Sequence, residues 1–194
     1  TLAEVYTWSL AFLFAELLCL LRVCRAGPGA AWRHAWYLLL VFNGLHASLH
    51  NAAFLHLPVY GALWLVSRDA SQPRGWARVW FGMVCALCWL AGAALLVGMV
   101  SREWGAGGPS LATLRSLLVG TRYGATVLGT GGFNLRLVVA NLALAGLSFL
   151  SPCWLFFLAA LRQPSAGQHF RRAVLAMTVI HALFWIRYFV PDQA

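Results

Sequence analysis

The sequence predicts an all-α chain, a polytopic transmembrane bundle of about six membrane-spanning helices joined by short loops. Three observations predict it. Of the 194 residues, 61% are hydrophobic and 10% charged, with a mean hydropathy of +0.74, where a soluble domain has about half apolar and about one-quarter charged residues. The apolar runs are continuous rather than alternating, and each approaches the ~20 residues an α-helix needs to cross a hydrocarbon core. The breaks between them are too short to fold alone, so residues 1–194 read as a single transmembrane domain.

The first span covers Val5 to Val23 and is ended by Arg22, Arg25 and the turn Gly27-Pro28-Gly29. The second begins near Trp36 and runs to Leu57, with an extension to Val66. At that length it exceeds one upright span, and Pro58 is expected to kink or interrupt it. The third runs from Val79 to Val100 and is followed by Arg102, Glu103, Trp104 and the breakers Gly107-Gly108-Pro109. The fourth covers Leu111–Phe133 and the fifth Leu135–Leu161, the latter containing Pro152. The sixth runs from His169 to Val190, before Pro191. Trp8, Trp32, Trp36, Trp76, Trp80, Trp104 and Tyr188 stand near the ends of these runs and read as an interfacial aromatic belt.

All 14 basic residues are Arg, against five acids: Glu4, Glu16, Glu103, Asp69 and Asp192. The resulting +9 is not the footprint of a nucleic-acid binder. The arginines sit a few at a time at the ends of apolar runs and form no basic stripe, so they read as membrane-flank anchors. Both termini fall on one side, and the distribution of Arg between the two sides points them away from the cytoplasm or matrix. The chain starts at Thr1, with Glu4 in place of a basic leader region. It therefore reads as processed, by loss of an organelle-targeting peptide, or as beginning inside a longer sequence.

Polar groups inside a membrane are costly, so each is a functional candidate. Asn43, His46 and His50 are spaced by three and four residues and share one helical face directed into the bundle. With His181 on the last span, His46 and His50 are candidates for a bis-imidazole haem site, a metal site or a proton path. The plainer reading is that they hydrogen-bond to neighbouring helices. His56 lies off that face and is left out. Glu16, deep in the first span, and Arg122, within the fourth, are expected to pair, or Glu16 to pair with His46 or His50. Glu16, Asn43, His46, His50 and Arg122 thus make the expected intramembrane polar network.

Cys85-Ala86-Leu87-Cys88 has the spacing of a redox dithiol, but an apolar helix is a setting in which thiols are inert, so packing is the expected role. An odd count of five cysteines implies no disulfide framework. Gly120 and Gly124 form a small-xxx-small pattern suited to close helix packing. The sequence holds no nucleophile elbow, phosphate-binding loop, zinc-protease pair or paired-acid motif, so no catalytic residue is expected.

Thr113-Leu114-Arg115-Ser116, followed by Gly120 and Ala125-Thr126, resembles a segment of the membrane-protein family catalogued as domain of unknown function 599. Arg102-x-Trp104 is similar to that family's R-x-W, and His169-Phe170-x-Arg172 to its H-F-x-R before a final span. The resemblance covers residues 79–194, leaves out the first two spans, and implies no assigned activity. The link from Arg102 to Thr113 is shorter than the family pattern.

The expected function is a non-catalytic accessory or scaffold subunit of a larger membrane complex, such as a respiratory assembly of the mitochondrial inner membrane. Its partners would be other membrane subunits and lipids, with no cofactor. The alternatives are a transporter of a small solute, ion or proton, and a haem- or quinone-linked redox protein.

Overall fold

A computed structural model of the chain describes residues 2–26, 29–66, 75–107, 135–136, 139–140, 143 and 167–187. Among these residues the only regular structure is helical. The elements are α1 (Leu2–Arg25), α2 (Ala30–Leu49), a 3₁₀ segment (Asn51–His56), α3 (Leu57–Val66), α4 (Trp76–Gly92), α5 (Ala94–Gly107) and α6 (Gln168–Arg187). Packing divides the chain into two units. One comprises Thr1–Arg102 with Gly167–Met177, the other Glu103–Ala166 with Thr178–Ala194. The site lies wholly within the first.

α1 is built from good helix formers and ends with Arg22 and Arg25 in its last turn, where positive charge meets the negative end of the helix dipole. Glu16, Cys19, Leu20 and Val23 are buried, and their spacing of three and four residues makes one face. That face packs on α2, which also contacts α4 and the 3₁₀ segment and so forms the centre of the unit. α2 presents a long buried stripe of Trp32, Ala35, Trp36, Leu39, Asn43, His46 and Ala47.

The crossing of α2 and α4 depends on two glycines. A Cβ on Gly44 would meet the backbone of Trp89 and lie 2.7 Å from Ala93 N, and one on Gly92 would collide with the Val41 carbonyl. Backbone therefore touches backbone there, the contact that small residues permit. Ser48 Oγ adds a hydrogen bond to Gly44 O at 3.1 Å and approaches Gly92 O at 3.5 Å.

Two expected spans are broken. The run from Trp36 to Val66 was expected to yield at Pro58, but α2 ends at Leu49 and His50 is extended, with φ −147° and ψ 121°. The His50 imidazole accepts the Ala52 N–H at 3.2 Å, a side-chain cap that starts the 3₁₀ segment in place of a further α-turn. Pro58 sits instead in the first turn of α3, where a proline is tolerated. The run from Val79 to Val100 was expected to be continuous. It breaks at Ala93, and α4 and the Ala94–Arg102 part of α5 are bent by 72°. No proline is present; the bend follows the small stretch Ala91-Gly92-Ala93, where α2 presses against the backbone.

The last run, expected over residues 169–190, is described as α6 over Gln168–Arg187. The 111–133 span lies outside the described residues. Of the 135–161 span only residues 135–136, 139–140 and 143 are described, all as helix. Among the described residues Thr7–Arg25 is long and apolar enough to cross a membrane alone, and the bent α4–α5 pair passes as a second if it is one span.

The aromatic belt also needs correction. Trp8, Trp76 and Trp80 are exposed, but Trp32 and Trp36 are core residues. Trp32 stacks on Phe81 with ring centroids 5.3 Å apart and meets Trp36 edge-on at 6.0 Å. Arg78 lies 4.7 Å over the Trp64 ring, joining α4 to α3.

Gly44→Ala is expected to cost about 1–3 kcal/mol through overpacking and to lower the melting temperature followed by circular dichroism in mild detergent. Gly98→Ala, with open space around its added methyl, is expected to leave that temperature unchanged or raise it slightly.

Candidate functional site

The buried face of α1 places a carboxylate inside an apolar unit. Glu16 has no solvent exposure, and four side chains donate to it. His46 Nδ1 approaches Oε1 at 2.6 Å. On Oε2 converge Asn43 Nδ2 at 3.0 Å, His56 Nδ1 at 2.8 Å and the Tyr60 hydroxyl at 2.5 Å.

Local sequence explains each placement. Asn43 and His46 are three residues apart in α2 and so share the stripe facing α1. His56 closes the 3₁₀ segment and Tyr60 lies one helical turn further, on the α3 face that also buries Val59 and Leu63. The donors are themselves held. Asn43 Nδ2 also donates to Ala53 O at 3.0 Å, and its Oδ1 accepts Trp89 Nε1–H from α4 at 2.9 Å. His46 Nε2 lies 2.7 Å from Ser9 Oγ, half-buried on α1. The ring centroids of His46 and His56 are 5.7 Å apart.

The cluster therefore ties α1, α2, the 3₁₀ segment, α3 and α4 to one carboxylate. Breaking a buried ion-paired or hydrogen-bonded group leaves its partner unsatisfied and costs about 3–5 kcal/mol, so the arrangement is strongly self-enforcing. Chemically it can do three things: lock the helices, hold a proton among its nitrogens and oxygens, or offer ligands to a cation. One ligand atom from each of Glu16, His46 and His56 lies within 4.8 Å of the others.

The structure brings together Glu16, Asn43 and His46 of the expected network. His50 does not follow: with α2 ended at Leu49, its side chain turns back to cap its own chain through Ala52. His56, excluded by helical spacing, is instead a full member, because the extended residue at position 50 cancels the spacing rule beyond it. Tyr60, Ser9 and Trp89 were also unforeseen; the recurrence of His56 and Tyr60 at i, i+4 beside Pro58 was the available signal. Arg122, Gly120 and Gly124 lie outside the described residues, and with them the Glu16–Arg122 pair. His181 lies on α6, half-buried.

The two ring nitrogens of His46 face Glu16 and Ser9. The described cysteines, Cys19, Cys24, Cys85 and Cys88, are free thiols, with Cys85 buried one helical turn from Cys88. No family model, curated protein or solved structure matches the chain.

Asn43→Leu removes the donor to Glu16, the tie to Ala53 and the acceptor of Trp89, and is expected to destabilise by about 3 kcal/mol or more. Ser9→Ala, at the half-exposed edge, is expected to cost about 1 kcal/mol. Thermal denaturation of both variants beside the wild type checks the order, and equal costs would contradict it.

Proposed function

We propose that this chain is a polytopic membrane protein serving as a non-catalytic accessory subunit of a larger assembly, with an organellar inner membrane, mitochondrial in the first instance, as its setting. The observation that carries the reading is an inside-out distribution of polarity. Glu16, Asn43, His46 and His56 are at most 4% exposed, whereas Leu18, Trp80, Leu87 and Leu183 are 60% exposed or more. On α1 the two faces are explicit: Glu16 points inward, and Leu10, Phe14 and Leu18 line the opposite side at intervals of four. Water would punish that outer surface, whereas lipid or apposed helices accept it.

The subunit role is supported by the internal character of the cluster, whose carboxylate takes its donors from its own chain. A group so occupied serves to fix helix positions and leaves the apolar outer faces for partners and lipid. Of the residues on which the proposed kinship to domain of unknown function 599 rests, Arg102 and Trp104 lie on α5 and His169, Phe170 and Arg172 at the start of α6; the kinship brings no activity.

One observation favours a second reading. The row from Glu16 through His46 to Ser9 leads from the buried carboxylate to a half-exposed hydroxyl, the form a short proton path would take.

Native gels of mild detergent extracts are expected to show the chain comigrating with a large complex; migration only as a free small species rejects the subunit role. Glu16→Gln is expected to weaken that assembly. Unchanged assembly with loss of proton flux in reconstituted vesicles would transfer the assignment to transport.

A further inference from the structure

We infer that Glu16, His46 and His56 form a binding site for a divalent transition-metal ion of the zinc class, with the Tyr60 hydroxyl oxygen as a fourth ligand. The inference rests on the cluster alone and holds whether or not the chain is a subunit of anything.

The donor set decides the class of ion. Two imidazole nitrogens with a carboxylate oxygen suit zinc and its neighbours, whereas magnesium and calcium want oxygen throughout. Distance is the second argument. Ligands at about 2.1 Å from a tetrahedral zinc lie about 3.4 Å from one another. The imidazole nitrogens lie 2.6 and 2.8 Å from the carboxylate oxygens, and the three ligand atoms fall within 4.8 Å of one another. The hydrogen-bonded geometry thus brackets the metal-bound one, and changes in separation of roughly 0.6–1.4 Å lead from one to the other.

Charge is the third. The partners of Glu16 among the described residues are Asn43, His46, His56 and Tyr60, none of which carries a fixed positive charge. A buried carboxylate gains from a positive charge beside it, and a divalent cation supplies one without protonation of either imidazole. The surroundings are also those of a built site. Ser9 Oγ meets the outer nitrogen of His46, and Asn43 Nδ2 holds Glu16, so ligand orientation is set from behind. The ligands come from α1, α2 and the 3₁₀ segment, so a bound ion would pin these elements together.

The full chain, purified through a tag without histidine and stripped with chelator, is titrated with zinc alone and, separately, with cobalt. The expected result is about one zinc retained per chain and, for cobalt, the intense visible bands of a four-coordinate N/O site. Glu16→Gln and His56→Gln are expected to weaken zinc binding by about 100-fold or more. His34→Gln, exposed on α2, should bind as the wild type does. Tyr60→Phe is expected to shift the cobalt bands. No zinc retained by the folded wild-type chain, or equal affinity in His56→Gln, would overturn the assignment. Should the variants fail to fold, X-ray absorption of the wild-type zinc form decides: imidazole and oxygen ligation supports the site, and sulfur bound to the ion overturns it.

Discussion

A carboxylate withdrawn from water must recover its hydrogen bonds from the protein, and the first unit is organised around meeting that demand for Glu16. Each of its two oxygens has to find donors, and α1 itself offers none, because its backbone N–H groups are committed to the helix. The donors come from α2, the 3₁₀ segment and α3. Had α2 continued straight past Leu49, His56 would lie about 15 Å along the axis from His46, at 1.5 Å per residue. Both rings nevertheless reach the same carboxylate. The extended backbone at His50 is what returns the chain, and the cap it forms with Ala52 stabilises the turn that the carboxylate requires.

The second constraint is how closely α4 approaches. Asn43 spends its carbonyl oxygen on Trp89 of α4, and that bond needs the two helices nearly in backbone contact. Gly44, the next residue on α2, and Gly92 on α4 supply the missing side chains at the crossing. At this contact, where α2 presses on the backbone of α4, the helix bends at Ala93. Polar satisfaction, close packing and the bend are therefore one linked arrangement. A larger residue at either glycine would strain the crossing and lengthen a hydrogen bond at the edge of the cluster.

Much of this is written locally in the sequence and some is not. Glu16 stands out because it is an acid in an apolar run, and Asn43 and His46 because their spacing puts them on one face; both properties survive folding. His50 and His56 were exchanged, since helical periodicity carries information only while the helix lasts, and the helix stops one residue before His50. Pro58 drew attention as a breaker, yet a first-turn proline breaks nothing; the actual break depends on a histidine cap, which leaves no signature in composition. Trp32 and Trp36 read as belt residues because they stand near the end of a run, but position along a helix says nothing about which face a residue occupies. The bend at Ala93 was invisible because its cause is the neighbouring helix and not the residues that bend.

Why such a unit should keep a polar knot rather than a leucine-rich interior follows from the proposed solvent. In lipid, apolar side chains gain little by leaving one apolar neighbour for another, so burial does not choose among helix arrangements. Directional contacts do. A carboxylate with four donors is satisfied in one arrangement and badly unsatisfied in its alternatives, and a glycine crossing fits one register and clashes in others. Such a core supplies specificity where hydrophobic collapse cannot. It also explains the division of labour on α1: the face bearing Glu16 settles how the helix sits in its own unit, and the face bearing Leu10, Phe14 and Leu18 stays chemically uniform, able to meet lipid or another apolar helix without a polar group to satisfy.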